Sequence, residues 1–388
     1  MVPNPPTHPV PAGQLLTGHV AEWGELLSVL SERHGLSVLL SDPLSGASAL
    51  LAAALAENGR PHLLVDARRC ADELDLAMAI GDAAVSALAP EATAWWLGAA
   101  PPASTAGLRV WRSLGERGID VVSLRDGLGP GSRRLGEALD LVSALAQGSV
   151  IVAIDHLGTM LANLRKTPAR EILGELRAAR QRATHIDFVL VDHPRGPISE
   201  ALGNPDHPLY LAGQRLRITR AKPERFITDL AIAMPLLNTP LGLLRAAAEI
   251  AAGVPALTWL IVSLAPFEGD DDARAVAGWQ NVRRANASSV RQAWDVLRRV
   301  HPAAQTIASA ISLDVKPHSL RLASKTTDDA LNRLRDVGLA WQPVERSWAL
   351  ADPLLAAYAR EHAPPWSLRR RAYARVTSAR DEGDRLTA

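Results

Sequence analysis

The chain has a single cysteine and no long hydrophobic run, and each of these shortages excludes a class of protein. Cys70 has no second cysteine to pair with, so neither an internal disulfide nor a thiolate metal cluster can form, which agrees with a reducing compartment. We expect Cys70 to fill the core, as free cysteines usually do. No apolar run approaches the ~18 residues of a membrane-spanning helix, which predicts a protein without a membrane partner.

The N-terminus also lacks the pattern of a secretory signal peptide, in which a basic region precedes an apolar core. Residues 1–13 are instead rich in proline and predict an unstructured tail. Together with the single cysteine, this pattern predicts a cytoplasmic protein.

The composition is that of a globular protein of two or three domains. The chain has 388 residues, of which 47% are hydrophobic and 21% charged. Its net charge of +1 conceals an uneven distribution. Residues 274–388 contain 19 Lys and Arg against 11 Asp and Glu, a surplus of +8, whereas residues 1–273 carry −7. The basic C-terminal region predicts either a nucleic-acid-binding surface or a solvated helical surface.

The N-terminal half alternates short apolar runs with helical patterns, which is typical of a parallel α/β sheet. The clearest strands are 149–154 (SVIVAI) and 186–191 (IDFVLV), which are rich in β-branched residues and are each followed by a helical or loop segment. Weaker strands are predicted at 37–40, 62–65 and 119–123. Helices are predicted at 18–34, 47–56, 71–88, 132–147 and 168–183. We therefore predict an α/β domain over residues 14–222.

Beyond Pro223 the β-branched runs stop and helical patterns dominate. Helices predicted at 223–235, 240–252 and 255–265, followed by an acidic break at 268–272, suggest a helical lid over 223–272. Helices are then predicted at 286–299, 302–311 and 326–337. A two-stranded hairpin between Gly338 and Leu350 and a last helix from Asp352 follow. This order is that of a winged-helix domain, placed at 273–365, and a basic tail occupies 366–388.

The segment between the first strand and the next helix is an imperfect P-loop. The motif G-x-x-x-x-G-K-[ST] lets backbone N–H groups surround phosphates, supplies a lysine for the β- and γ-oxygens, and holds Mg²⁺ with a hydroxyl. Here the window is SDPLSGAS, residues 41–48. Gly46 and Ser48 match the motif, whereas Ser41 replaces the first glycine and Ala47 replaces the lysine.

Several further motifs make the chain resemble the STAND branch of AAA+ P-loop ATPases, in particular archaeal-type ATPases with a C-terminal winged helix. Residues 18–23 (GHVAEW) resemble the entry helix of that family. Residues 151–155 (IVAID) resemble Walker B, and 189–193 (VLVDH) resemble the sensor strand. Residues 253–255 (GVP) resemble the G-x-P motif near the adenine, and 330–350 resemble the last helix and wing. The resemblance implies a P-loop-like parallel sheet domain, a helical lid and a winged helix.

The resemblance also implies a nucleotide site, and the departures from it predict poor hydrolysis. Gly46, Ser48, Asp155 and Pro255 match positions that bind ATP or ADP with Mg in the family. The lysine position is Ala47, and the catalytic glutamate position after Asp155 is His156, so neither the phosphate charge nor the carboxylate for the attacking water is present. Three interpretations remain open: a turn without a ligand, weak nucleotide binding, and efficient turnover. We predict that the protein is not an efficient enzyme.

Two Asp-His pairs end strands that the family places side by side, which raises the possibility of a metal site. Asp155, His156, Asp192 and His193 would then converge at the carboxyl edge of the sheet, where α/β proteins bind ligands, and this donor set suits Zn²⁺ or Mn²⁺. In the alternative, the two aspartates cap the loops that follow them and the histidines bond to backbone.

The winged helix supplies candidate DNA contacts, because the helix before the wing usually enters the major groove. The basic candidates are Lys325, Arg333 and Arg335 on that helix, Arg346 in the wing, and Arg369, Arg370 and Arg371 in the tail. Asp328 and Asp329 in the first turn oppose phosphate approach. Double-stranded DNA and a protein partner, including a second copy of the chain, both remain possible partners.

The sequence as a whole predicts a catalytically degenerate AAA+/STAND-like protein. In this hypothesis the ATPase fold is a scaffold, and the winged helix binds DNA or a regulatory partner. The alternatives are a slow nucleotide-dependent ATPase switch and a protein-interaction scaffold that binds neither ATP nor DNA.

Overall fold

The structure, a computed structural model, describes residues 18–96, 112, 116, 134–146, 148–164, 166–194, 196–233, 239–320, 322–343 and 347–363. The strand predicted at 119–123, the Pro-rich tail and the basic tail lie outside these residues. The chain divides into two compact bodies. One comprises His19–Asp42 and Gly46–Thr219, and the other comprises Pro43–Ser45, Arg220–Ala388 and the residues up to Gly18, in each case where described.

In its described residues, the first body is an α/β body with five strands. Its elements are α1 (Val20–Ser31), β1 (Leu36–Ser41), α2 (Ala47–Asn58), β2 (His62–Asp66), α3 (Glu73–Leu88), α4 (Thr93–Trp96), α5 (Arg134–Leu145), β3 (Val150–Asp155), α6 (Leu157–Asn163), α7 (Lys166–Arg182), β4 (Ile186–Asp192), α8 (Pro197–Gly203) and β5 (Gln214–Ile218). All the strand pairs are parallel, in the order β2-β3-β4-β1-β5. The predicted parallel α/β sheet is confirmed.

Burial along the strands follows their place in the sheet. Every residue of β3 and β4 is buried, as expected for strands covered on both faces. The edge strand β5 was not predicted. It buries only Leu216 and Ile218, while Arg215 and Arg217 are exposed, so the strand lacks a continuous apolar run. Helices α3 and α5 pack on each other and on the sheet. Cys70 lies in this core, as predicted, and burial raises the pKa of its thiol to about 11.

Where it is described, the second body contains helices and one short antiparallel hairpin. Its elements are α9 (Pro223–Ala233), α10 (Leu241–Ile250), α11 (Pro255–Ser263), α12 (Asp271–Ala285), α13 (Ala287–Val300), α14 (Ala304–Ser312), α15 (Ser324–Asp336), β6 (Ala340–Trp341), β7 (Ala349–Leu350) and α16 (Pro353–Glu361). Gly338, with φ of 72°, ends the turn after α15 and directs the chain into β6.

Helix α12 was missed because its start was mistaken for a break. The acidic segment 268–272 contains the N-cap of the helix: the Asp270 carboxylate accepts the N–H of Ala273 at 2.8 Å. Asp271 and Asp272 occupy the first turn, where negative charge favours the helix dipole. Among the described residues, no helix combines the length and the apolarity needed to cross a membrane.

Candidate functional site

The segment that resembles a P-loop connects β1 to α2, as the sequence predicted. Gly46 is the N-cap of α2 and has φ of 90°, a left-handed conformation that glycine adopts without strain. A Cβ on Gly46 would meet nothing within 4 Å, so the space in front of this glycine is open. The first N–H groups of any α-helix have no acceptor within its own ladder, so the backbone here offers donors to an anion.

The charges around the loop do not favour phosphate. Asp42 is buried, at 5% exposure, and its Oδ1 lies 3.8 Å from Nη2 of Arg217 on β5. Ala47 is also buried and contributes only a methyl group where the motif has lysine. The window 41–48 therefore contains one negative and no positive side chain.

The tip of the loop, Pro43–Ser45, belongs to the second body, where an arginine binds its backbone. Nε of Arg220 donates to the carbonyl of Pro43 at 2.8 Å, and Nη2 donates to the carbonyl of Ala351. The guanidinium carbon also lies 4.9 Å from the ring centroid of Trp341 on β6. Sequence reasoning missed Arg220, because these partners are far apart along the chain.

Ser48 and the end of β3 lie together in the first body. The Ser48 hydroxyl oxygen is 3.5 Å from Nε2 of His156, and the same nitrogen is 3.5 Å from Oδ2 of Asp155. Oδ1 of Asp155 accepts the backbone N–H of His156 at 2.9 Å. His156 has φ of 57°, a left-handed conformation that is costly for a residue with a side chain. The structure thus brings together two predicted nucleotide-site residues, Ser48 and Asp155, with His156 between them.

The surroundings of His156 favour its uncharged form. Burial lowers the pKa of its imidazole, and Arg68 and His193 act in the same direction, while Asp155 and Asp66 oppose them. A neutral imidazole can accept or donate one hydrogen bond, but it supplies neither a cation for phosphate nor a carboxylate for water.

Arg68 is a second residue that the sequence did not reveal. It follows β2, whose last residue Asp66 is paired in register with Asp155. The Arg68 guanidinium makes a two-pronged contact with the Asp66 carboxylate, with Nη2 to Oδ2 at 2.7 Å and Nε to Oδ1 at 3.0 Å. This hydrogen bonding and the nearby charge of Asp155 raise the pKa of Arg68. A positive charge therefore stands at this edge of the sheet, already paired with a carboxylate.

The structure does not bring the four residues predicted as a metal site together around one point. Among the described residues, no group of three or more His, Cys, Asp or Glu side chains is placed to hold a metal ion. The Asp192 carboxylate is turned into its own loop, where Oδ2 accepts the N–H groups of Ile198 at 2.8 Å and Ser199 at 3.1 Å. Nδ1 of His193 lies 3.4 Å from the carbonyl of Ser41. Asp192 and His193 therefore follow the alternative in which the aspartate caps a loop and the histidine bonds to backbone. His156 does not, because its imidazole faces the side chains of Ser48 and Asp155.

Residues 253–255 have a structural explanation of their own. Gly253 has φ of 72°, and a Cβ there would lie 2.2 Å from the carbonyl oxygen of Ala221. Pro255 is buried at the first position of α11, where its missing N–H costs no helix bond. The local backbone thus requires the glycine and accommodates the proline.

The predicted DNA contacts divide between described and undescribed residues. Lys325 and Arg333 are exposed on α15, and Arg335 is half-buried with Nη2 3.3 Å from the Asp336 carboxylate. Arg346, Arg369, Arg370 and Arg371 lie outside the described residues.

Solved structures contain similar folds. The chain is similar to the Walker-type ATPase paby2304 of Pyrococcus abyssi, with a TM-score of 0.61 and 18% identity over 88% of this chain and 95% of that one. It also aligns with the Aeropyrum pernix ORC2 protein (ADPNP-ADP complexes) at a TM-score of 0.46, with 16% identity over 96% of both chains. A third alignment is with a STAND protein with a tetratricopeptide repeat sensor, PH0952 from Pyrococcus horikoshii. Its TM-score is 0.37, with 12% identity over 92% of this chain and 45% of that one.

The first similarity shows that the chain has the fold of a Walker-type ATPase. No protein-family model and no curated protein matches the sequence.

Proposed function

We propose that this chain is a catalytically degenerate AAA+/STAND-like protein that uses the ATPase fold as a scaffold. The observation that carries the proposal is the loop between β1 and α2. It keeps the strand-loop-helix arrangement with open space at Gly46, but Ala47 and His156 stand where a lysine and a glutamate would act.

The missing groups affect different steps of phosphoryl transfer. A lysine neutralises charge on the β- and γ-phosphates, and a hydrogen bond to a charged group contributes about 1.5–3 kcal/mol. A carboxylate orients the attacking water, a task for which the neutral imidazole of His156 is a poor substitute. Loss of both groups leaves backbone donors and the Ser48 hydroxyl, which suit weak binding of an anion better than turnover.

The test is ATP hydrolysis by the purified full chain with Mg²⁺. We expect the rate to equal that of buffer and to be the same in Asp155→Ala. The double variant Ala47→Lys/His156→Glu restores both missing groups and should hydrolyse ATP measurably if the loop retains its shape. Turnover by the native chain that depends on Mg²⁺ and is lost in Asp155→Ala would refute the proposal.

A slow ATPase switch is the second candidate, because of the contact between Ser48 and His156. The imidazole of His156 has a lowered pKa and lies 3.5 Å from the hydroxyl of Ser48 at the start of α2. Its uncharged form is able to accept a proton, as a general base does. The same hydrolysis assay separates the two functions. Slow turnover abolished by His156→Ala would favour the switch.

The proposed partner is duplex DNA, bound through the C-terminal elements as a winged helix. The support is the order of three helices, hairpin and closing helix from α13 to α16, and the +8 surplus of residues 274–388. The alternative is a protein partner, including a second copy of the chain. Titration with a random-sequence duplex at two salt concentrations tests this part, because binding through phosphates weakens steeply as salt rises.

A further inference from the structure

The helix that usually enters the major groove has no net charge on its exposed face. On α15 the exposed charged residues are Lys325 and Arg333, and they are balanced by Asp328 and Asp329. Oδ1 of Asp328 is also 2.7 Å from Nε2 of His318, which holds this carboxylate on the surface beside the helix. A face of zero formal charge attracts DNA phosphates weakly, so α15 does not account for the basic character of the region.

Helix α13, in contrast, has a net positive charge on its exposed face. Its buried face is formed by Val290, Trp294 and Leu297, which fixes how the helix is rotated. The exposed charged residues are Arg291, Asp295, Arg298 and Arg299, with a net charge of +2. Arg291 and Arg298 are seven residues apart, which is two turns and about 10.5 Å along the same side of the helix.

The end of α12 extends this basic surface. Arg284 is exposed and its Nη2 donates to the Asn281 side chain at 2.8 Å, and Nε of Arg298 donates to Gln305 at 2.8 Å. Both acceptors are neutral, so these contacts orient the two guanidinium groups without neutralising them. Arg283, by contrast, forms an ion pair with Glu361. The exposed charges from Arg284 to Arg299 therefore sum to +3.

The surroundings of these arginines favour a nucleic acid over a protein. Specific protein interfaces need buried apolar or aromatic anchors, whereas protein–DNA interfaces are polar and positively charged. Over the described part of residues 277–363, no large hydrophobic side chain is exposed. Arginine's planar fork also matches the oxygens of a phosphate.

We propose that Arg284, Arg291, Arg298 and Arg299, at the end of α12 and on α13, contact the phosphate backbone of duplex DNA, and that α15 contributes little. This inference rests on the proposed DNA-binding function and specifies which surface performs it. Contacts of this kind depend on salt and carry no sequence preference of their own.

The experiment compares two variants of the full chain on a random-sequence duplex across a salt series. One is the triple variant Arg291→Ala/Arg298→Ala/Arg299→Ala on α13, and the other is Lys325→Ala/Arg333→Ala on α15. Each lost phosphate contact lowers the salt slope by about 0.9, so the α13 variant should lose about 2.7 of that slope. Extrapolated from about 1 M salt, this corresponds to about a hundredfold weaker binding near 150 mM. The α15 variant should bind within about threefold of the native chain.

A variant with increased positive charge distinguishes the loss of phosphate contacts from a loss of binding that is caused by unfolding. Asp295→Asn removes the single acidic side chain among these arginines and should tighten binding and steepen the slope, a gain that a misfolded protein cannot produce. A chain of polyglutamate serves as the acidic-protein probe. If the α13 arginines bind polyglutamate as tightly as DNA, the assignment to nucleic acid is overturned.

The outcomes distinguish failure of the proposed DNA-binding function from failure of the assignment to α12 and α13. If the native chain fails to bind duplex at about 50 mM salt, the DNA-binding function itself fails and the inference falls with it. If the native chain binds DNA but the α15 variant weakens binding and the α13 variant does not, the function stands and the inference is refuted.

Discussion

Replacing Asp192 by asparagine should remove a large pH dependence from the stability of the α/β body. Asp192 ends β4, is almost fully buried, and uses Oδ2 to accept the N–H groups of Ile198 and Ser199. Burial raises the pKa of this carboxyl to about 6, although His193 and the backbone hydrogen bonds act in the opposite direction. The folded protein therefore favours the protonated side chain.

The sign and size of the effect follow from linkage. A carboxyl whose pKa is raised from 3.8 to about 6 stabilises the folded state most at about pH 4 and below. This contribution is lost as the pH rises through about 6. The shift of about two units corresponds to about 3 kcal/mol, at 1.36 kcal/mol per unit. Asparagine is nearly isosteric, can still accept both N–H groups, and does not titrate.

The assay is denaturant unfolding of the native chain and Asp192→Asn between about pH 4 and pH 7.5. Groups that do not interact with Asp192 titrate alike in both proteins and cancel in the difference. The free energy of unfolding of the native chain should fall by about 2–3 kcal/mol relative to the variant over this range. Leu190→Ala on the same strand is the control, because it removes buried apolar surface and should destabilise by a similar amount at every pH. A difference between native and Asp192→Asn that stays constant with pH would refute the argument.

Two further predictions concern the same edge of the sheet. Gly158→Ala should destabilise the protein by about 1–3 kcal/mol in thermal or denaturant unfolding, because the new Cβ would lie 1.7 Å from Oδ1 of Asp192. Gly174→Ala is its control: its Cβ meets nothing within 4 Å, so it should stabilise α7 by up to about 1 kcal/mol. Ala47→Lys should tighten ADP binding about tenfold or more in calorimetric titration, since the missing charge is worth about 1.5–3 kcal/mol. Unchanged affinity would mean that the loop no longer forms a phosphate site.

The success of the sequence prediction depended on how strongly each element is buried. The strands β3 and β4 are buried on both faces, so a continuous apolar run predicted them. The edge strand β5 alternates two exposed arginines with Leu216 and Ile218, which is the pattern of a half-buried strand but extends over only four residues. The sequence did not predict helix α12, because the acidic cluster before it suggested a break between helices. In the structure, Asp270 of this cluster is the N-cap of α12.

The candidate site was only partly predictable, because its contacts depend on strand order. Ser48 and Asp155 are more than one hundred residues apart, and they come near each other because β1 and β3 end at the same edge of one parallel sheet, separated by a single strand, β4. Arg68 lies near Asp155 because β2 pairs with β3 in a register that no local pattern encodes. Likewise, the charges of α13 and α15 were visible in the sequence, but which of them face solvent followed from the buried face of each helix.

The burial of Ala47 helps to explain why alanine is stable at this position. A lysine at position 47 would replace a side chain that is 5% exposed. A charge that stays buried there is desolvated, which costs several kcal/mol unless a carboxylate such as that of Asp42 pairs with it. The methyl group of Ala47 avoids this cost, which favours alanine in the protein without nucleotide. The same substitution that improves nucleotide affinity should therefore weaken the nucleotide-free protein. The lysine that a P-loop uses to bind phosphate is therefore expected to lower the stability of the protein without nucleotide.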